Sequence, residues 1–288
     1  MYPVLFRIGG FEVTSFGLML FLSFVTAAWI AGKQLQRYGM AAELIWDSLV
    51  AVAIGGIVGA KLYYLGLHWD EFAAAPLRAL LSRGGLVWYG GLIGGVTAFY
   101  FHVRRKKLPM ALMFDSTAPA LALAYAVGRM GCFLVGDDYG VPTDSWVGIA
   151  FPNGSPPSTA GNLRAVGIDV PASIPDVAVL AVHPTQLYEI GLALIMFAVL
   201  WKLGGKRLRE GQLFAIYMML YAVERFLIEF VRAKGDRILF DLSTSQVASI
   251  LLLLCGVFLW WKQGSAAPAP SAGAQPAGRK PASAGVPR

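Results

Sequence analysis

Three stretches of the chain, residues 13–32, 84–103 and 242–261, run for 20 residues each without an Asp, Glu, Lys or Arg. In a helix rising about 1.5 Å per residue, that length crosses the roughly 30 Å hydrocarbon core of a bilayer. Four further apolar runs are interrupted by isolated charges. They are about 46–67 with Lys61 inside, 112–135 with Asp115 and Arg129, 184–201 with Glu189, and 212–231 with Glu224, Arg225 and Glu229. The pattern predicts an all-α, polytopic integral membrane protein with about seven transmembrane helices. The longest connection, about residues 136–183 between helices four and five, is rich in Gly, Pro and Ser. A connection of that length more often carries function than not. From Gly264 onward the Ala, Pro, Ser and Gly composition cannot bury a core. The expected organisation is one seven-helix membrane domain, residues 1–263, followed by a disordered tail, residues 264–288, with no repeat of solenoid period.

Composition sharpens this picture. Charged residues make up 14% of the chain and hydrophobic ones 57%, about half the charged fraction of a soluble domain, which excludes a water-soluble globule. The net charge of +7 would suit nucleic acid, but the basic residues sit at the ends of apolar spans, where membrane topology accounts for them. No nucleic-acid partner is expected. Alternating the spans puts fourteen Lys and Arg on the side of the C-terminus, Lys33, Arg37 and the run Arg104 to Lys107 among them, against seven on the other side. The positive-inside rule then places the N-terminus and residues 136–183 outside, and the C-terminal tail in the cytoplasm. A cleaved signal peptide carries its positive charge ahead of the apolar run, whereas Lys33 and Arg37 follow this one, so the first helix is expected to be retained. The cysteines, Cys132 and Cys255, fall in different spans and imply no disulfide framework.

Ionisable groups inside a membrane are costly, so their positions point to a site. By depth, Lys61, Arg129, Glu189, Arg225 and Glu229 all fall within about 10 Å of the outer surface, and Asp115 lies at the opposite end. On the sixth predicted helix Tyr221, Arg225, Glu229 and Arg232 recur at helical spacing and form one stripe. Taken alone, the stripe reads equally well as a self-neutralising ion-paired seam. The coincidence of depth across four helices favours a site. A cavity holding Arg129, Arg225 and Lys61 suits an anionic lipid headgroup, because guanidinium matches phosphate bidentately. The glycines Gly84, Gly85, Gly90, Gly91, Gly94 and Gly95 permit close approach of a ligand. For Gly91 and Gly95, small-residue helix packing explains the pattern at least as well. The histidines His68, His102 and His183 lack metal-ligand spacing, and no P-loop, dinucleotide fingerprint or G-x-S-x-G is present. No metal and no cofactor are expected.

The segment Gly128-Arg129-Met130-Gly131-Cys132-Phe133-Leu134-Val135-Gly136-Asp137-Asp138-Tyr139-Gly140 resembles the signature of the bacterial prolipoprotein diacylglyceryl transferases. His183-Pro184-Thr185-Gln186-Leu187-Tyr188-Glu189 is similar to their H-P-[ST]-Q-L-Y-E segment. Further matches are Phe16-Gly17-Leu18-Met19, Gly90-Gly91-Leu92-Ile93-Gly94, and Tyr221 with the run Arg225 to Arg232, so the resemblance extends from about residue 10 to 262. Family members usually carry Tyr where Phe16 stands, Asn where Cys132 and Val135 stand, and Glu where Asp137 stands. Tyr89 occupies the place of an important catalytic His.

The resemblance implies transfer of the diacylglyceryl group of phosphatidylglycerol to the thiol of a lipobox cysteine in a preprolipoprotein, releasing glycerol 1-phosphate. It also implies a multi-pass protein of the bacterial cytoplasmic (inner) membrane that acts as a monomer on membrane lipids and preprolipoprotein signal peptides. The candidate catalytic residues are Arg129, Arg225, Tyr89 and Glu229. Candidate contacts to phosphatidylglycerol are Arg129, Arg225, Tyr221, Lys61, Phe16, Gly90, Gly91, Asp137, Glu189 and Arg232. The alternatives are a diverged paralogue using another lipid donor or acceptor, and a non-catalytic phospholipid-binding protein. A transporter more often places its charges near the midplane, on broken helices.

Overall fold

The computed structural model describes residues 1–9, 11–82, 87–206, 208–233, 237–239 and 242–263. The tail from Gly264, the glycines Gly84 and Gly85, and the loop cations Arg83, Arg207 and Lys234 lie outside the described residues. The chain opens with an antiparallel hairpin of β1 (Val4–Ile8) and β2 (Phe11–Thr14) that leads into α1 (Ser15–Arg37). Thr14 Oγ1 accepts from the Gly17 amide at 3.1 Å, satisfying one of the N–H groups that every helix start leaves open. Next come α2 (Glu43–Leu67), the short α3 (Trp69–Ala74) and α4 (Pro76–Leu81), then α5 (Trp88–Arg105) and α6 (Met110–Val135). Beyond a long connection holding β3 (Ile149–Ala150), α7 (Ala160–Ala165) and β4 (Ala181–Val182) lie α8 (Thr185–Leu203) and α9 (Gln212–Ile228). A final hairpin of β5 (Arg237–Leu239) and β6 (Leu242–Ser243) precedes α10 (Thr244–Gln263).

Five of these helices, α1, α2, α6, α8 and α10, are long and apolar enough to cross a membrane. The other two long ones differ for visible reasons: α9 ends at Ile228 and carries Glu224 and Arg225, and α5 has 18 residues that end in Arg104 and Arg105. Ile54, Ile57, Leu62, Ile93, Leu251 and Leu254 stand exposed on the outside of the helices, the arrangement that lipid rather than water tolerates. The strictly all-α expectation needs correction, because the described residues include three two-stranded antiparallel sheets. They lie ahead of α1 and in the connections, where the backbone has no helix to satisfy its polar groups.

Helix α5 packs on α2, α6 on α1 and α8, and α9 on α8 and α10. A Cβ on Gly94 would come within 2.9 Å of the Gly59 Cα, and one on Gly90 within 3.0 Å of the Ala60 Cα. Close backbone approach therefore uses Gly90 and Gly94, not Gly91 and Gly95, because the 90/94 face is the one turned toward α2. Deeper in the bundle, Ala28, Ile30, Leu35, Ile45, Phe99 and Met113 form the main core.

Residues 136–183 are more than an irregular loop. Tyr139, Phe151, Leu163, Val170 and Val182 build a separate small core. The buried Ser158 hydroxyl accepts from the Phe151 amide at 3.0 Å and donates to the Leu180 carbonyl at 2.8 Å. Arg164 donates to the carbonyls of Val170, Pro171 and Ile174. Met1 and Phe133 pack against this core, and the Tyr2 amide donates to the Leu134 carbonyl at 2.9 Å. The N-terminus, the end of α6 and the start of α8 thus share one end of the bundle.

Candidate active site

At that end α6, α8 and α9 each deliver a charged side chain to one point. Glu189, fully buried on the first turn and a half of α8, accepts on Oε1 from Arg225 Nη1 at 2.8 Å and from the Tyr125 hydroxyl at 3.0 Å. Its Oε2 accepts from Arg129 Nε. Arg225 Nη2 donates to Glu229 Oε2 at 2.9 Å, one helical turn on. On the other side Arg129 Nη1 donates to Asp138 Oδ2 at 3.0 Å, and Arg232 Nη2 lies 2.6 Å from Asp138 Oδ1. The result is one alternating chain: Arg232, Asp138, Arg129, Glu189, Arg225, Glu229.

The sequence positions these groups by local rules. Gly136 ends α6 in the left-handed conformation, φ +76°, which a residue without a Cβ adopts freely, and Asp138 follows with φ +56°. The tight turn is held from α8: Thr185 Oγ1 donates to the Asp138 carbonyl at 2.6 Å and Gln186 Nε2 donates to the Asp137 carbonyl. Within the H-P-T-Q-L-Y-E segment, Thr185 and Gln186 therefore fix the acidic turn while Glu189 fixes the arginines. Burial works against ionisation of Asp138, but the Arg232 and Arg129 guanidiniums prevail and hold its carboxyl down at about 2. Burial, reinforced by the Asp138 charge, moves Asp137 in the opposite direction, upward.

The expected stripe on the sixth predicted helix needs one correction. Helix α9 stops at Ile228, and Arg232 sits on backbone that has turned to bridge with Gly140. That departure from the helix is what brings Arg232 to Asp138. Tyr221 does face the cluster, its ring edge-on to Tyr125 at 5.5 Å. Phe16 borders Gly131, two residues beyond Arg129. Lys61 is hydrogen-bonded to Ser82, through the carbonyl at 2.9 Å and the hydroxyl at 2.8 Å. Tyr89 begins α5 with its side chain 60% exposed, in contrast to the buried ion chain. The space beside Gly90 is filled by α2, whereas a Cβ on Gly91 would lie 3.5 Å from the Gly56 carbonyl oxygen, an ordinary contact. At the far end, Asp115 accepts from the Gly211 and Phe214 amides at 2.6 and 2.8 Å, capping the start of α9, which explains its separation from the cluster.

Sequence reasoning missed Asp138, Tyr125, Thr185 and Gln186 as members of the site. Two carried a signal: Tyr125 is one turn before Arg129 on the same helix face, and Asp138 adjoins Asp137. Cys132 Sγ lies 3.6 Å from Arg129 Nη1 and within 4.8 Å of carboxylate oxygens of Asp137 and Asp138, a grouping whose size a metal ion accepts. Both Asp138 oxygens are already engaged by guanidiniums, so the group belongs to the ion chain.

Chemically, the site presents two guanidiniums from different helices converging on one buried oxyanion, in a wall that also holds Glu229 and Asp137. Among the described residues the buried oxygens Glu229 Oε1 and Asp137 Oδ1 have no hydrogen-bond partner, which a seam built only for neutralisation would not leave. An apolar cavity of about 220 Å³, lined by Phe24, Ala28, Val52, Phe99 and Phe114 among others, lies deeper between α1, α2, α5 and α6.

Residues 3–262 match the protein family described as prolipoprotein diacylglyceryl transferase. The phosphatidylglycerol–prolipoprotein diacylglyceryl transferase of Clostridium tetani is 31% identical over 261 residues, covering 90% of this chain and 97% of the relative. The enzyme of the same name from Xylella fastidiosa is 34% identical over 282 residues, covering 90% and 91%. That of Halalkalibacterium halodurans is 30% identical over 262 residues, covering 90% and 85%.

Proposed function

The chain belongs to the prolipoprotein diacylglyceryl transferase family, and from that membership we propose that its ion chain carries out diacylglyceryl transfer from phosphatidylglycerol to the lipobox cysteine of a preprolipoprotein. The observation that carries the reading is the convergence of Arg129 and Arg225 on Glu189. Two planar forks that already share one carboxylate are spaced to share a phosphodiester. The phosphate displaces carboxylate from the guanidiniums as it enters.

The thiol sulfur attacks the glycerol carbon that bears the phosphate. A C–S bond forms, the C–O bond to phosphate breaks, and glycerol 1-phosphate departs. Arg129 and Arg225 stabilise the charge that grows on the departing oxygen, from positions set before the substrate arrives. Glu229 keeps Arg225 oriented, Glu189 orients both arginines, and Arg232 with Asp137 completes the polar wall. Tyr221 lines the phosphate side, Phe16 borders it, and Lys61, Gly90 and Gly91 mark the seam between α2 and α5 beside it. Tyr89, at the exposed start of α5, donates a hydrogen bond to the incoming substrate. The apolar cavity supports the same reading, since a diacylglyceryl donor needs a dry place for its acyl chains.

The seven long helices cross the cytoplasmic membrane of a bacterium with the N-terminus and residues 136–183 outside, and the chain acts as a monomer. Support comes from the shared end of the N-terminus, α6 and α8, and from the excess of Lys and Arg on the opposite side. In the test, purified protein is placed in phosphatidylglycerol vesicles with a lipobox peptide. A mass gain of one diacylglyceryl group is expected, and an unmodified peptide overturns the reading.

A further inference from the structure

Glu224 lies on α9 beside Arg225, only 4% exposed, yet it is not part of the alternating chain. Arg225 directs its guanidinium away, to Glu189 and Glu229. Among the described residues no cation lies within ion-pair distance of Glu224, and its Oε2 has no hydrogen-bond partner. The alternating chain is balanced without it, three guanidiniums against Asp138, Glu189 and Glu229. An additional ionised carboxylate here would be a buried charge without a counter-ion, which is costlier than a neutral acid.

One hydroxyl connects this carboxyl to the ion chain. The Tyr125 hydroxyl lies 3.0 Å from Glu189 Oε1 and 3.4 Å from Glu224 Oε1. A phenol has a single proton, so it donates to one carboxylate and accepts from the other. With Glu189 ionised by its two arginines, the consistent arrangement is Glu224 as donor, Tyr125 as relay and Glu189 as acceptor. The groups around Glu224 are Tyr125 and Arg129 from α6, Glu189 from α8, and Tyr217, Tyr221 and Arg225 from α9.

We propose that Glu224 is held as a neutral carboxylic acid and, through Tyr125 and Glu189, supplies the proton for the departing phosphate. This rests on the diacylglyceryl-transfer reading above. The transfer forms C–S and breaks C–O, and the thiol proton must end on the released phosphate monoester. Glu224 releases one proton in advance, along Tyr125 and Glu189, to the oxygen leaving the glycerol carbon. The proton given up by the thiol then restores Glu224, so each turnover moves one proton from sulfur to phosphate and leaves the protein unchanged. Glu224 acts through other residues and is a positioning residue for that proton.

Two measurements on the full-length protein in phosphatidylglycerol vesicles test this. Infrared difference spectra between wild type and Glu224→Gln report the carbonyl stretch of a protonated acid, whatever the activity. The pH dependence of kcat and KM for lipobox-peptide modification reports the path. Wild type is expected to show the acid band and Glu224→Gln to lack it. Glu224→Gln and Tyr125→Phe should each lower kcat by about 10²-fold, with KM for phosphatidylglycerol little changed and the pH profile altered, and Glu224→Asp should recover part of kcat. A wild type without the band overturns the proposal even if the enzyme is active. So does a Glu224→Gln enzyme that retains the wild-type kcat and pH profile. If wild type transfers nothing at all, the diacylglyceryl reading falls and takes the proton path with it, whereas the band then still tells whether Glu224 is neutral.

Discussion

Glu189 and Arg225, 36 positions apart in sequence and on different helices, meet at 2.8 Å, and the opposite oxygen of the same carboxylate holds Arg129. The carboxylate therefore competes with any phosphate for both guanidiniums. Glu189→Gln should lower KM for phosphatidylglycerol by freeing the forks, and also lower kcat, because the orienting and proton-accepting group is gone. Steady-state kinetics in vesicles of varied phosphatidylglycerol content separate the two effects. A rise in KM would show that Glu189 assists headgroup binding.

Arg129→Ala and Arg225→Ala should each reduce kcat by about 10²-fold or more, the scale on which a lost preorganised donor acts. Each also breaks one of the two ion pairs of the buried Glu189, at a cost of up to about 3–5 kcal/mol. Arg225→Lys should be impaired as well, since an ammonium cannot reach Glu189 and Glu229 with one planar fork. Peptide modification assays paired with thermal melts measure both, and wild-type turnover in the two alanine variants would dismiss the phosphate-holding role.

Much of this architecture was legible in the sequence because membranes enforce it. An apolar run of 20 residues and a charge within such a run are hard constraints, and the long helices and the cluster of Arg129, Glu189, Arg225 and Glu229 follow from them. The rest depends on backbone that leaves the helices. Arg232 meets Asp138 only because α9 stops at Ile228, and Asp138 is in place only because Gly136 turns left-handed and Thr185 holds the turn. Side-chain periodicity has no access to those events. Tyr125 escaped notice because a neutral tyrosine in an apolar span costs little and so gives no sign of its own.

The acidic turn should show a pH signature. The Asp138 carboxyl is lowered to about 2 against an ordinary value of 3.8, so its contribution to stability is complete above the ordinary value and disappears as pH falls toward about 2. Because the group is partly exposed, that contribution is about 1–2 kcal/mol after allowance for solvent screening. Asp138→Asn should melt below wild type at neutral pH, and the difference should close as pH approaches 2. A gap that stays constant with pH would assign the loss to packing.

The α2 and α5 pair should be intolerant of a methyl at Gly94 and tolerant of one at Gly66. A methyl at Gly94 would come within 2.9 Å of the Gly59 Cα, whereas nothing lies within 4 Å of a Cβ on Gly66. Gly94→Ala should cost about 1–3 kcal/mol, the range for overpacking, and Gly66→Ala should melt like wild type. Equal melting temperatures for all three proteins would show that α2 and α5 can separate freely.

Tyr89 stands where the sequence resemblance implies a histidine, and it tests whether this site runs the transfer with a phenol. Tyr89 is 60% exposed at the start of α5, and the proposed reading puts it at the rim, where it meets substrate, with the phosphate assigned to the buried ion chain. A phenol carries one O–H donor, and hydrogen-bond donation is the role proposed for it. Tyr89→Phe removes only the hydroxyl and should raise KM for the lipobox peptide several-fold while kcat changes little, because binding is lost without loss of the proton path. Tyr89→His should restore donation and keep KM near wild type. Mass spectrometry of the modified peptide across a range of peptide concentrations reads both constants. A large fall in kcat with unchanged KM in Tyr89→Phe would move the phenol into the chemical step and place the proton path at α5 instead of Glu224.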